Sequence, residues 1–345
     1  MRGSPMRLAV LGAGNGGKAT AAELALQGHA VHLWESARFA AANFAGLVGP
    51  DLTGPAVLRA SGAFEVVAAL DLVTTDLTAA LRGVDIVFIC TVAAAHGPLA
   101  KELANVFRGE GARPLIVLSP GSTGGSLVLR QAWRAAGLVD VPLLAEFGTL
   151  PYGVRASGAD VTVAVKVAAV AVGVLPACET AGVVERLRQF YPDLLEKPSV
   201  LAAGLCNANP IIHPAITLLN LGAIEHKGAA HRFYRDGASP LVCRLIEALD
   251  GERMAVAAAL GYAAESDPQN SKRQGYCASD ESYHACYGRG VGFSQFQSPS
   301  GDGLDKHRYF SEDVGGLALY LKLAAALGVG DLPVARSVVL LANVV

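Results

Sequence analysis

An α/β protein is the fold class this sequence predicts: a doubly wound parallel sheet at the amino end, followed by an all-helical carboxyl half. Three observations predict it. A short apolar run closes on a glycine-rich turn near the start of the chain. Apolar runs and helical stretches then alternate as β-α-β-α-β, which calls for a parallel sheet with right-handed crossovers. From about Leu201 onward, strand-like runs give way to helical ones.

The first element is Leu8 to Leu11, an apolar run with the look of a strand buried on both faces. Gly12, Gly14 and Gly17 follow at G-x-G-x-x-G spacing, with Asn15 and Gly16 inside the turn. Gly12 permits the sharp turn, Gly14 lets a pyrophosphate approach the backbone, and Gly17 lets helix and strand pack closely. Lys18 to Gln27, rich in Ala, Leu and Glu, suits a helix whose first N–H groups face phosphates. Gly28 ends it, Ala30 to Trp34 reads as the second strand, and Glu35 closes that strand 18 residues after Gly17. A carboxylate there accepts hydrogen bonds from an adenosine ribose and repels a 2′-phosphate. The spacing therefore points to NAD, with NADP left open because Arg38 lies close enough to meet a phosphate.

Further along, Ser36 to Leu47 reads as a helix and Val48 to Pro55 as a turn-rich connection. Phe64 to Leu72 reads as a strand or hairpin, Asp76 to Leu81 as a short helix, and Val84 to Cys90 as a buried strand. A helix at Gly97 to Phe107 leads to a strand at Pro114 to Leu118. The loops Thr91 to His96 and Ser119 to Gly125 leave the carboxyl ends of strands, where such sheets bind ligands. His96 is expected at the surface, with a place near the cofactor as the alternative. The second loop reads equally as a ligand wall or a flexible turn, opening a helix at Leu127. Strands continue at Leu143 to Ala145 and within Val161 to Val174; Thr180 to Tyr191 is helical and stops at Pro192. The later helices are expected at Pro214 to His226, Leu241 to Leu260 and Leu317 to Leu327. Between the last two, the polar Glu265 to Lys306 is long for a loop and is expected to hold short helices that cover the cleft.

At 345 residues the chain exceeds one typical core. Two domains are expected, 6–195 and 196–345, with a hinge near 190–200. Apolar residues at 52% and charged ones at 17% favour a globule. A net charge of −2 gives no basic footprint for nucleic acid. Six scattered cysteines form no C-x-x-C and no zinc-spaced cluster, so they read as reduced, mostly buried thiols of a cytoplasmic protein, with no metal implied. Met1 to Pro5, ahead of Met6, reads as an added leader, and no signal peptide precedes the first strand. The most apolar stretch, Val161 to Ala177, contains Lys166 and ends at Pro176, so strands suit it better than a membrane span.

Chemistry is sought among the titratable residues of the helical half. In Asn207-Ala208-Asn209-Pro210-Ile211-Ile212-His213-Pro214, a histidine stands just before a helix expected to start with Pro214. By itself His213 reads as a core histidine satisfied by a backbone carbonyl. The segment His307-Arg308-Tyr309-Phe310-Ser311-Glu312-Asp313-Val314 reads by itself as a solvated helix start capped by Ser311 or Asp313.

Together these motifs, N-x-N-P-x-x-H-P and H-R-Y-F-x-E-D-V, resemble the opine dehydrogenases, the family of the octopine and nopaline enzymes and of the bacterial N-(1-carboxyethyl)amino-acid dehydrogenases. G-x-G-N-G-G at the front, S-P-G-S-T-G-G-S-L from Ser119, and Glu146 ahead of Arg155 extend the resemblance over nearly the whole chain. The resemblance implies a Rossmann domain joined to a helical substrate domain. It implies His213 as acid/base, Asp313 as its carboxylate partner and Arg308 as the clamp for a keto-acid carboxylate. Glu146 would lie on the amino-acid side of the cleft, reaching the substrate amine or serving the structure. Asn209 would meet substrate, while Asn207 and Asn209 orient their loop through side-chain-to-backbone bonds. Tyr309 and Phe310 are expected to pack.

The implied reaction is NADH-dependent condensation of a 2-oxo acid, pyruvate first among them, with the amino group of an L-amino acid, and its reverse. The chemistry agrees: imine formation and reduction need proton transfers that an imidazole near neutrality suits. A simple keto- or hydroxy-acid reductase of the ketopantoate reductase or glycerol-3-phosphate dehydrogenase type is the alternative. Such enzymes commonly use a lysine, and Lys227, Lys272, Lys306 and Lys322 lie in no recognisable motif. A dinucleotide sensor without turnover is a third reading, disfavoured by an acid/base set it does not need. Partners are small molecules, with a homodimer left open and no membrane or nucleic acid implied.

Overall fold

The computed structural model describes residues 4–109, 113–294, 296–299 and 303–345. Residues 1–3 of the expected leader, and 295 and 300–302 of the expected cover segment, lie outside the described residues. The chain folds as two compact units, Met1–Gly204 and Leu205–Val345.

The first unit runs β1 (Arg7–Leu11), α1 (Asn15–Leu26), β2 (Ala30–Trp34), α2 (Ala37–Asn43), β3 (Gly54–Gly62), β4 (Val66–Thr74), α3 (Leu77–Ala80), β5 (Ile86–Ile89) and α4 (His96–Val106). It continues with β6 (Leu115–Leu118), α5 (Gly125–Ala135), β7 (Leu144–Phe147), β8 (Tyr152–Ser157), β9 (Asp160–Lys166), β10 (Ala171–Leu175), α6 (Thr180–Leu187), β11 (Leu195–Glu196) and α7 (Val200–Gly204). One sheet of 11 strands takes the order β11-β10-β7-β6-β5-β1-β2-β4-β3-β9-β8. The strands β7, β6, β5, β1, β2 and β4 are mutually parallel. The chain winds outward one way from β1 through β2 and returns to β5 on the other side, so the switch point lies between β1 and β5. That is where a doubly wound sheet takes its ligand. The short runs β5 and β6 are apolar and buried at every residue, as continuous strands covered on both faces must be, and β7 is as buried although it carries Glu146.

Three strands are absent from the sequence reading: β3, β8 and the two-residue β11, which pairs with β10. β3 begins at Gly54-Pro55 inside the segment expected to be a connection, and β8 contains Gly153 and Arg155. Neither carries a strong strand signal; each is made by its partners, β3 by β4 and β9, β8 by β9. The helix expected over Ser36 to Leu47 stops at Asn43, and residues 44–47 turn instead, burying Phe44 ahead of Gly46 at φ +74°. Helix α1 is tied to the β8–β9 hairpin by buried Glu23, which accepts the Tyr152 hydroxyl at 2.7 Å and pairs with Lys166.

The second unit is helical: α8 (Asn209–Leu219), α9 (Leu221–Lys227), α10 (Phe233–Gly237), α11 (Pro240–Ala259), α12 (Asp267–Gln274), α13 (Tyr283–Tyr287), α14 (Val291–Ser294), α15 (Arg308–Ser311), α16 (Asp313–Leu327) and α17 (Pro333–Ala342). Helix α8 is the hub, packed by α16, α11, α15 and α10 around Ile211, Ile216, Ile246 and Leu317. It begins earlier than the sequence implied. Pro210, within the first turn where its missing N–H costs nothing, opens the helix, and Pro214 lies inside it. His213 therefore sits within the helix rather than before it.

The segment 265–306 holds the short helices α12, α13 and α14, as its length required. It is anchored to α11 by a buried polar cluster. Arg253 pairs with Asp250 at 2.6 Å and donates to the Glu265 carbonyl; Asp250 accepts the Asp267 N–H and the Tyr283 hydroxyl. A buried ion pair holds when further partners meet its polar atoms, as the Leu205 and Glu265 carbonyls do for Arg253 and the Asp267 N–H and Tyr283 hydroxyl for Asp250. Cys243, Cys277 and Cys286 are buried, Cys90 and Cys206 half-buried and Cys178 exposed; none is in a disulfide.

Candidate active site and cofactor cradle

The glycine turn meets the steric demands its spacing implied. Gly12 has φ +103°, and a Cβ there would stand 2.9 Å from the Cys90 carbonyl oxygen. A Cβ on Gly17 would lie 1.7 Å from the Gly12 oxygen, so only glycine lets α1 close on β1. Gly14, the residue capping α1, has nothing within 4 Å of its would-be Cβ. Its missing side chain opens onto free space at the start of a helix of 12 residues, where a pyrophosphate fits. Beside the turn, the buried Thr91 hydroxyl has no hydrogen-bond partner among the described residues. Asn15 turns away to accept the Ala156 N–H at 2.8 Å. A Cβ on Gly16 would meet the Leu150 side chain at 2.8 Å.

Glu35 is buried at the end of β2 with both oxygens held. Oε2 accepts the Ala13 N–H at 3.0 Å and the Asn43 amide at 2.7 Å; Oε1 accepts the Ser36 N–H at 2.8 Å and the Ser36 hydroxyl at 3.2 Å. This ties the carboxylate, expected to accept from an adenosine ribose, to the glycine turn. Arg38 lies over the Phe39 ring at 5.1 Å.

The loop from Ser119 to Ser126 is fixed. Glu146, wholly buried on β7, accepts the Gly124 N–H at 2.7 Å, the Ser126 N–H at 3.0 Å and the Ser126 hydroxyl. Burial raises its pKa against those donors. Gly121 is packed on its side chain, and Thr123 donates to the Gly204 carbonyl at 3.2 Å. Glu146 thus caps the first turn of α5 from a neighbouring strand. His96, expected at the surface, is buried at the start of α4, where a Cβ on Gly125 would stand 2.7 Å from its Nδ1. The glycine leaves the space the imidazole fills.

In the second unit, residues one hundred positions apart meet. His213 Nδ1 lies 2.7 Å from Asp313 Oδ2, both side chains almost wholly buried. Asp313 opens α16 and is no solvated cap; His307 is the residue capping α15. Arg308 places its guanidinium 3.8 Å from the same Asp313 oxygen, over the Tyr309 ring at 4.9 Å. Tyr309 does more than pack in the core: its ring stacks on the imidazole at 3.9 Å, while Phe233 meets it edge-on at 5.7 Å. Asn207 accepts the Asn209 N–H through Oδ1 at 3.1 Å, the loop-orienting bond the motif implied, and Asn209 itself is half-buried at the start of α8.

Burial holds the His213 pKa well below the ordinary imidazole value; Arg308 lowers it further, and Glu312 opposes. Burial pushes the Asp313 carboxyl up to about 7, against the pull of Arg308. Both shifts express one cost, that of charge away from water. With Arg308 charged, a carboxylate beside a neutral imidazole leaves the site without net charge. That state puts the imidazole proton on Nδ1, facing Asp313, and leaves Nε2 basic.

Sequence reading missed Tyr234. Its hydroxyl lies 2.9 Å from His213 Nε2. Nothing in its local sequence signals this, because the short helix α10 that carries it stands 21 residues away and is brought to α8 only by the fold.

The family model for the alpha-helical domain of NAD/NADP octopine/nopaline dehydrogenases matches residues 196–345. An opine dehydrogenase of Arthrobacter sp. (strain 1C) is 34% identical over 257 residues, covering 73% of this chain and 67% of its own. The Protein ocs of Agrobacterium vitis is 28% identical over 352 residues, covering 96% of this chain and 89% of its own. Among solved structures, octopine dehydrogenase with NADH and L-arginine shares the fold, with a TM-score of 0.74 at 20% identity over 98% of this chain and 89% of that one.

Proposed function

The chain belongs to the opine dehydrogenase family, and from that premise we propose that it catalyses the NADH-dependent reductive condensation of a 2-oxo acid with the amino group of an L-amino acid, and the reverse oxidation. The buried pair His213–Asp313 at 2.7 Å, beside the Arg308 guanidinium, carries this reading. The glycine turn at Gly12, Gly14 and Gly17 and the carboxylate of Glu35 hold the dinucleotide, with NAD favoured over NADP. The bound nicotinamide supplies or accepts the hydride.

The chain's own residues handle the rest. Arg308 carries a planar guanidinium fork that can take a carboxylate bidentately, so it holds the 2-oxo acid. His213 exchanges a proton at Nε2: it takes one from the substrate ammonium as the free amine forms and gives it to the departing hydroxyl as the carbinolamine loses water, and the same transfers run backwards when an opine is oxidised. Asp313 fixes the imidazole through Nδ1 and balances its charge once it is protonated. Pyruvate is the proposed 2-oxo acid; octopine dehydrogenase has been solved with pyruvate and NADH. The four lysines on which a simple reductase would draw, Lys227, Lys272, Lys306 and Lys322, are all exposed, which disfavours that alternative.

The test is NADH oxidation with pyruvate, alone and with a panel of L-amino acids, with NADPH in parallel. Oxidation that needs both pyruvate and an amino acid supports the proposal. Oxidation with pyruvate alone replaces it by a simple keto-acid reductase. NADH binding with no turnover across the panel replaces it by the sensor.

A further inference from the structure

We propose that Tyr234 is a positioning residue for His213: its hydroxyl donates to Nε2, fixes the plane of the ring and sets how basic that nitrogen is when a substrate donor arrives. The inference rests on the acid/base reading of His213 and deepens it. Each ring nitrogen has a different buried partner, Asp313 Oδ2 at 2.7 Å on Nδ1 and Tyr234 OH at 2.9 Å on Nε2. With Nδ1–H facing the carboxylate, Nε2 carries the lone pair and the phenol must be the donor. The phenol is suited to that role. Tyr234 is packed among Phe233, Tyr287, Phe293 and Phe296, and burial holds its proton on, so it donates without ionising. A hydrogen bond to the neutral ring favours the neutral ring, so Tyr234 works in the same direction as burial and opposes protonation. A substrate donor must take over the same lone pair, and it then meets a base whose strength Tyr234 has set.

The other groups around α8 define what else acts on the imidazole. From α15 come Arg308 and Tyr309, from α16 Asp313, and Glu312 stands between them. Helix α11 brings its Asp250–Arg253 pair to bear on Tyr320. Arg232 and Asp236 at α10 pair with one another, as do Asp331 and Arg336 at α17. The charged residues of α9, Glu225, His226 and Lys227, are exposed.

The test uses the full chain labelled with [15N]histidine, with ring nitrogens read by long-range 1H–15N correlation across pH and His213 identified by its loss in His213→Gln. In the wild type, His213 should show the tautomer protonated on Nδ1, with Nε2 accepting. In Tyr234→Phe, the Nε2 resonance should move toward a free lone pair while Nδ1 stays. The pKa of the ring should rise by roughly half to one pH unit, the worth of one hydrogen bond. Tyr234→3-fluorotyrosine, a stronger donor of the same shape, should move both the other way. That variant keeps the test alive if the phenylalanine change unfolds the protein. With NADH, pyruvate and the amino acid active in the panel, the pH profile of kcat/KM should shift in step. A wild-type ring protonated on Nε2, or an Nε2 resonance unmoved by both substitutions, overturns the inference. Turnover that survives in His213→Gln overturns the acid/base reading instead, so the two failures are distinct.

Discussion

Replacing Asp313 by asparagine removes one charge and little else. Asparagine keeps the shape and still accepts the Nδ1 proton, but it cannot balance an imidazolium. Two unit charges at the observed 2.7 Å attract by about 6 kcal/mol at an effective dielectric near 20. Arg308, 3.8 Å from the same oxygen, already draws on that carboxylate and repels the imidazolium. Charged hydrogen bonds lost by mutation typically cost ~1.5–3 kcal/mol. Between these figures the barrier should rise by about 2–4 kcal/mol, so kcat should fall about 30- to 1,000-fold. The assay is NADH oxidation with pyruvate and the active amino acid, alongside an NADH fluorescence titration and a thermal melt. NADH affinity should hold, because the glycine turn lies in the other unit. A folded Asp313→Asn protein with kcat within about threefold of wild type refutes the pairing as a catalytic device.

The cofactor cradle separates room from packing. Gly14→Ala should fold and melt like wild type but lose NADH affinity by at least about tenfold, as its Cβ meets no protein atom and enters the space proposed for pyrophosphate. Gly17→Ala should instead melt well below wild type, its Cβ colliding with the Gly12 carbonyl; differential scanning fluorimetry and NADH titration read both. Glu35→Ala should raise the KM for NADH about tenfold and narrow its advantage over NADPH, read by parallel kinetics with the two cofactors. Glu146→Ala leaves two buried N–H groups and a hydroxyl unsatisfied, so urea unfolding should show a loss of about 2–4 kcal/mol; full stability with a raised KM for the amino acid would make it a substrate contact. Burial and the nearby Asp250 push the Asp267 carboxyl up to about 6. A raised carboxyl stabilises the fold below its unfolded pKa and loses that contribution as pH rises through the folded value. The melting temperature of wild type minus Asp267→Asn should therefore fall between pH 4 and 6 and level off above; a flat difference refutes the shift.

Much of the fold was legible. The β1–α1–β2 unit lies almost where the glycine spacing placed it, because a dinucleotide turn imposes local constraints that local residues must meet. The strands β3 and β8 were not legible, since Gly54-Pro55 and Gly153 weaken their patterns and only pairing with β4 and β9 makes them strands. His213 was placed before its helix because two prolines, Pro210 and Pro214, offered themselves as the first turn, and packing chose the earlier. His96 was expected outside because nothing near it in sequence reveals that Gly125 makes its pocket.

By itself, the sequence determined the class of fold, the glycine turn and the acid/base candidates. These depend on residue type and short spacing, which the chain carries in linear order. The motifs' resemblance implied the His213–Asp313 pair, and the tertiary structure gave it a bond of 2.7 Å; the tertiary structure alone decided that Tyr309 covers the ring, that Tyr234 takes its second nitrogen, and that Glu146 caps α5. Those contacts join residues from separate helices and strands, and the pKa shifts that follow come from burial. Burial belongs to the packed chain as a whole, and no stretch of sequence specifies it alone.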